Sequence, residues 1–150
     1  MDQEDNFYTL KGYSLLEHIQ ITSSMEDYLE MICRLSQDGT PVRIGDLAKC
    51  LHVRPSSASK MAGNLRSHGL VRFEKYGTVT LTEAGLQLGR YLLFRHTVLQ
   101  DFFCFINQTT NELEQAEKVE HFIDPKTVYN LKKWMDKITV LCESVIRRIL

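Results

Sequence analysis

Three good metal donors stand close together in the last third of the 150-residue chain: Glu117, Glu120 and His121. At i, i+3 and i+4 they share one helical face, so two carboxylates and an imidazole can converge on one cation. A wetted helix surface would show the same spacing. Asp27 and Glu30, three residues apart, share a face near the start of another helix, where acids also serve simply to complement the helix dipole. His96 follows Arg95 inside an apolar stretch, and there a ligand and a core histidine bonded to a carbonyl are both open readings. No one of these segments is decisive alone, but together they offer six groups able to bind a divalent ion.

A second set of residues suits a polyanion. The net charge is only -1, yet between Pro41 and Tyr76 seven Lys or Arg face two acids, Asp46 and Glu74. Met1 to Glu30 instead holds seven acids against Lys11, and Asp101 to Asp124 holds six against Lys118. A basic middle between acidic flanks predicts anion binding at the centre and cation binding at the edges. Within the basic stretch, Arg54, Ser56, Ser57, Ser59 and Lys60 surround a predicted helix start, with Lys75 in a hairpin beyond it. Hydroxyls, a positive helix N-terminus and three cationic side chains are what phosphate oxygens require. A basic solvated face is the plainer alternative.

The elements that must position these residues follow from the apolar pattern. Ser23-Ser24-Met25-Glu26 has the S-x-x-E spacing of a capping box, opening a helix with Tyr28, Leu29, Ile32 and Leu35 on one face. A short helix is predicted from about Ile44 to Leu51, then a turn. A third helix begins at Pro55, with Ala58, Met61 and Leu65 as its buried stripe, and Gly69 ends it. Val71-Arg72-Phe73 and Val79-Thr80-Leu81 alternate as the arms of a hairpin whose turn contains Gly77. Thr82 is the expected cap of a long helix reaching Ile106, buried on several sides. One helix should span Asn111 to Phe122, and Asp124-Pro125 should open a last one. There Val128, Leu131, Met135, Ile138, Cys142, Val145 and Ile149 form a heptad-like seam. Residues 1–20 carry enough spaced apolar side chains for a short helix, weakened by Gly12.

Several classes are disfavoured. The most apolar stretch, Tyr91 to Ile106, is interrupted by Arg95, His96, Gln100 and Asp101, so no membrane span is expected. Met1 to Asp5 is acidic and no apolar core follows, which gives no sign of a secretory leader and makes a cytoplasmic location the expectation. Cys33, Cys50, Cys104 and Cys142 lie far apart without a C-x-x-C pair and read as reduced core thiols.

Helix, helix, turn, helix and hairpin between Ser24 and Leu81 is the order of a winged helix-turn-helix, which raises DNA binding above the solvated-face alternative. The segments Ser24-Met25-Glu26-Asp27-Tyr28-Leu29-Glu30, Arg54-Pro55-Ser56-Ser57-Ala58-Ser59-Lys60-Met61, Phe73-Glu74-Lys75-Tyr76, Tyr91 to His96 and Val119-Glu120-His121 resemble the manganese transport regulator branch of the diphtheria toxin repressor family. The resemblance covers about residues 24–140. It implies that Asp27, Glu30, His96, Glu117, Glu120 and His121 ligate a binuclear centre with bridging carboxylates. In the family's iron-sensing members a methionine and a cysteine stand at the positions of Asp27 and Glu117. This chain offers only oxygen and imidazole, which suits Mn²⁺, while Fe²⁺, Co²⁺, Zn²⁺ and Cd²⁺ are also expected to bind.

The expected architecture is mainly α: an extension over 1–22, a winged helix-turn-helix DNA-binding domain over 23–82, and a helical dimerisation and metal-binding domain over 83–150. The expected function is a Mn²⁺-activated repressor of metal-uptake genes that binds a pseudo-palindromic operator as a homodimer. A repressor responding to iron or another divalent metal, and a metal-independent winged-helix regulator, are the alternatives. Paired metals also build hydrolases, but no separate base, nucleophile or phosphate-cradling glycine loop is evident, so no enzyme and no small organic substrate are expected.

Overall fold

The computed structural model describes residues 21–36, 39–74 and 77–149. The predicted helix within 1–20 and the wing residue Lys75 lie outside the described residues. Helix α1 runs over Ser23–Leu35, and its N-cap is Thr22, whose Oγ1 accepts from the Met25 amide at 3.3 Å. The cap thus falls one residue before the expected capping box, and Glu26 is released for other work. Met25, Tyr28, Leu29 and Ile32 recur at helical spacing on the buried face. Leu29 and Ile32 are wholly enclosed, each stabilising the core by about 1.5–3 kcal/mol.

A two-residue strand, β1 (Val42–Arg43), leads into α2 (Ile44–Cys50). Helix α3 (Pro55–Ser67) starts with Pro55 at a first-turn position that needs no amide hydrogen. It buries Ala58, Ala62 and Leu65. Ala62 takes the inner position expected of Met61, which is only partly covered, because a methyl lets α3 lie closer to its neighbours. Strands β2 (Val71–Phe73) and β3 (Thr78–Leu81) form the predicted hairpin, antiparallel with Val71 opposite Leu81 and Phe73 opposite Val79. β1 adds to the other edge of β3, giving the order β1-β3-β2. A two-residue strand is too short to leave a sequence period.

Thr82 caps α4 (Glu83–Asn107) as expected: its Oγ1 accepts from the Gly85 amide at 3.0 Å and donates to the carbonyls of Gly69 and Leu70. Helix α4 packs against the unit formed by α1 to β3 at two points that tolerate no larger residue. A Cβ on Gly85 would stand 1.8 Å from the Leu70 carbonyl oxygen, and one on Gly89 would stand 2.9 Å from Cys33 Cβ. These contacts seat Leu92 in the same core as α1 to β3.

Beyond α4, the single helix expected over Asn111 to Phe122 is broken. Helix α5 covers only Leu113–Val119, and a 3-10 turn follows over Glu120–Phe122. Helix α6 (Pro125–Ile149) then runs back along α4. Phe94 meets Tyr129 with ring centroids 5.0 Å apart, and Phe102 and Phe105 meet Trp134 at 6.2 and 6.1 Å. The heptad-like seam is buried at Val128 and half-covered at Leu131, Met135 and Ile138. Further on, Val140, Leu141, Val145 and Ile146 are all more than half exposed.

Candidate metal centre

A cavity of about 490 Å³ lies between α1, α2, α4 and the α5 segment, and all six predicted donors line it: Asp27, Glu30, His96, Glu117, Glu120 and His121. Each reaches it for a local reason. Asp27 and Glu30 come from successive turns of α1, one exposed and one buried beside the core face. His96 comes from the middle of α4 and is 4% exposed. The change from α5 to the 3-10 turn tightens the chain after Val119, so that Glu120 points inward at 2% exposure while Glu117 stays at the exposed rim.

Among the described residues two donor groups form, each with its ligand atoms within 4.8 Å of one another. One is Asp27, Glu120 and His121; the other is Glu30, His96 and Glu120. Glu120 belongs to both. Glu117 lines the same cavity without joining either group. Cys50 and His52, at the end of α2 and in the turn after it, line it as well, and sequence reading had assigned them no part in it.

The electrostatics are those of a cation site held together by protons. His96 Nδ1 lies 3.0 Å from Glu120 Oε2 and 3.9 Å from Glu30 Oε1. Its hydrogen bond to Glu120 raises its pKa against the opposing effect of burial. His121 is gripped at both ring nitrogens, Nε2 at 3.0 Å from Asp27 and Nδ1 at 2.6 Å from Glu26. The Asp27 contact first, then Glu26, push its pKa up to about 9. Burial raises the Glu30 carboxyl, although Arg34 Nη2 donates to Glu30 Oε1 at 2.6 Å. Both histidines are shifted toward their charged form, and such charge offsets the repulsion among Asp27, Glu30 and Glu120. A divalent cation would satisfy the same carboxylates by displacing those protons, so the donor set fits such an ion.

Glu26 and Arg95 are the residues that sequence reasoning missed. Arg95 is 3% exposed, donates to Glu26 Oε2 at 2.8 Å, and lies over the Tyr91 ring with its Cζ 6.0 Å from the centroid. Burial alone would raise the Glu26 carboxyl, but hydrogen bonds from His121 and Arg95 outweigh it and hold the pKa low. The signal available in the sequence was an arginine beside a histidine within the most apolar stretch of the chain.

On α3, Arg54, Ser56, Ser57 and Lys60 are exposed and Ser59 is half-buried, all opposite or beside the stripe of Ala58, Ala62 and Leu65. No helix among the described residues is long and apolar enough to cross a membrane.

A family profile described as the iron dependent repressor, N-terminal DNA binding domain, matches residues 20–79. The HTH-type transcriptional regulator MntR of Shouchella clausii (strain KSM-K16) is 38% identical over 103 residues, which cover 68% of this chain and 72% of that protein. The regulator of the same name from Bacillus subtilis (strain 168) is 35% identical over equal shares. Among solved structures, the manganese regulator SloR superposes with a TM-score of 0.66 at 27% identity, over 77% of this chain and 55% of that one. ScaR with bound Zn²⁺ gives 0.62 at 26%, over 75% and 53%. This chain therefore spans about half the length of those solved neighbours. By name these relatives are transcriptional regulators. With matching order of elements, 38% identity to a curated relative and a shared DNA-binding profile, the chain belongs to the diphtheria toxin repressor family of metal-dependent transcriptional regulators, in its MntR branch.

Proposed function

We propose that this chain is a Mn²⁺-activated repressor that silences metal-uptake genes by binding a pseudo-palindromic operator as a homodimer. The observation that carries the reading is Glu120, a carboxylate 2% exposed that two donor groups share. A carboxylate has two oxygens, so one such side chain suits the bridge of a two-ion centre. In this reading Asp27, Glu30, His96, Glu117, Glu120 and His121 hold the metal. Oxygen and imidazole donors favour a hard ion, and the regulators of manganese among the relatives support that choice; Fe²⁺, Co²⁺, Zn²⁺ and Cd²⁺ compete for the same donors.

A bound ion would supply the positive charge that joins elements now linked through protons. Asp27 and Glu30 belong to α1 of the DNA-reading unit, taken as 23–82. His96, Glu120 and His121 belong to the helical unit, taken as 83–150, behind the extension 1–22. Holding α1 against α4 and the 3-10 turn fixes the direction of α3, whose Arg54, Ser56, Ser57, Ser59 and Lys60, with Lys75 of the wing, would meet phosphates and base edges. Turning an occupancy of about 1:99 into 99:1 requires a preference of roughly 5.5 kcal/mol for the DNA-competent state. The exposed Leu141 and Val145, four residues apart on α6 and flanked by exposed Val140 and Ile146, supply apolar surface for a second copy of the chain, and two copies match two half-sites. A cytoplasmic location follows from this role.

The test uses a palindromic DNA selected from a random pool by the Mn²⁺-loaded protein, titrated by fluorescence anisotropy with and without Mn²⁺. The wild-type chain should bind at least tenfold more tightly with the ion, and Glu120→Gln, which keeps the side-chain shape, should lose that gain. A Glu120→Gln protein with undiminished Mn²⁺ dependence would remove Glu120 from the centre and the proposal with it.

A further inference from the structure

We propose that Glu26 and Arg95 are positioning residues of the metal centre, which together hold the His121 ring so that Nε2, and not Nδ1, faces the ion. This rests on the metal-centre reading above and adds to it an atom assignment and two residues outside the donor set.

The geometry gives the two ring nitrogens different surroundings. Glu26 Oε2 lies 2.6 Å from His121 Nδ1 and 2.8 Å from Arg95 Nη2, while Arg95 Nη2 lies 3.3 Å from the same Nδ1. An ionised carboxylate only accepts hydrogen bonds, so a contact of 2.6 Å requires a proton on Nδ1. Two donors, the guanidinium and Nδ1–H, therefore converge on one oxygen, and the 3.3 Å approach between them is a consequence of sharing it. Nδ1 has no lone pair left for a cation. Its other nitrogen, Nε2, sits 3.0 Å from Asp27 Oδ1, and Asp27 and His121 form a donor group with Glu120 in which Arg95 and Glu26 have no part.

Consecutive residues of α1 thus grip opposite sides of one imidazole: Glu26 the Nδ1 side, Asp27 the Nε2 side. The same alternation holds on α4, where Arg95 faces Glu26 and His96 faces Glu120. Charge reinforces it. A cation on the Nδ1 side would stand against the buried guanidinium of Arg95, with little water to screen the repulsion. Arg95 is costly to bury, and its Nε has no hydrogen-bond partner among the described residues. One terminal nitrogen directed at Glu26 gives that burial a purpose, since a carboxylate so held orients a ligand imidazole and raises its basicity toward the ion.

The experiment loads the full chain, labelled with ¹⁵N at histidine, with ¹¹³Cd²⁺ as a diamagnetic probe, and reads ¹¹³Cd–¹⁵N coupling at His121. Coupling at Nε2 is expected. Mn²⁺ affinity is then measured by calorimetry for Glu26→Ala and Glu26→Gln, with thermal melts of the metal-free proteins to confirm folding. Glu26→Ala should weaken Mn²⁺ binding by about 10–100-fold, and Glu26→Gln, whose amide oxygen can still accept from Nδ1–H, should recover part of the loss. Coupling at Nδ1, an alanine variant within twofold of wild type, or a glutamine variant as weak as alanine would each overturn the assignment. A wild-type chain that takes up neither ion removes the metal-centre reading itself, and the assignment with it.

Discussion

Metal uptake should release protons, and the pH dependence of the metal-free and metal-loaded forms should run in opposite directions. The perturbation is a change of pH from 6.5 to about 9, the interval over which folded His121 keeps a proton that the unfolded chain has lost. Because the folded pKa is the higher, this contribution to stability is complete below 6.5 and disappears as pH rises through about 9. Holding a proton across that interval corresponds to about 3 kcal/mol at about 1.4 kcal/mol per tenfold in proton affinity. Its main partner, Asp27, has a side chain 49% exposed, so solvent screening reduces the effect to on the order of 1–2 kcal/mol. The metal-free chain should therefore melt roughly 3–6 °C lower near pH 9 than at pH 6.5. In the metal-loaded form the ion replaces the proton, and apparent Mn²⁺ affinity should rise about tenfold per pH unit for each proton displaced. Calorimetry in buffers of different ionisation enthalpy, under anaerobic conditions at pH 7, counts the protons directly; at least one per chain is expected. An affinity constant within twofold from pH 6.5 to 8.5, with no proton release, would show that the metal does not displace the histidine protons.

Three further outcomes are expected. Lys60→Ala should weaken operator binding and lower the slope of log K against log salt by about 1, as for one lost phosphate contact; an unaltered slope takes Lys60 out of the interface. Gly85→Ala places a methyl within 1.8 Å of the Leu70 carbonyl oxygen, so urea denaturation should show a loss of about 3 kcal/mol or more, and a change below 0.5 kcal/mol would mean that α4 has room to retreat. Leu141→Asp puts a charge on the apolar face of α6 and should shift sedimentation from dimer to monomer, whereas an unchanged dimer would place the interface elsewhere.

Much of this was legible in the residues. Periodicity marked the long helices, Pro55 and Thr82 marked two starts, and the hairpin showed in alternation around Gly77, because each of these leaves a local chemical trace. What escaped was set by tertiary contact. Glu26 fits a capping box by spacing, yet Thr22 caps the helix and Glu26 turns to Arg95 and His121, residues 69 and 95 positions away. The break after Val119 also escaped, since Glu117, Glu120 and His121 have one helical spacing whether or not the last turn tightens. Spacing grouped Glu117, Glu120 and His121 and paired Asp27 with Glu30, and the family resemblance supplied His96 and the full set of six, but neither could tell that Glu120 would be common to both groups. Strand β1 was too short to register, and Met61 and Ala62 are both acceptable inner residues until a neighbour's distance is known.

The graded exposure of the centre has a consequence for how such regulators diverge. Glu30, His96 and Glu120 are sealed in the interior, where any exchange must also satisfy its packing neighbours, whereas Asp27 and Glu117 stand in water at the rim. By the family resemblance, those two rim positions correspond to the methionine and cysteine of iron-sensing members. On the proposed ligand set, a change of metal preference at Asp27 or Glu117 requires one surface substitution and leaves the buried frame of Glu30, His96 and Glu120 in place.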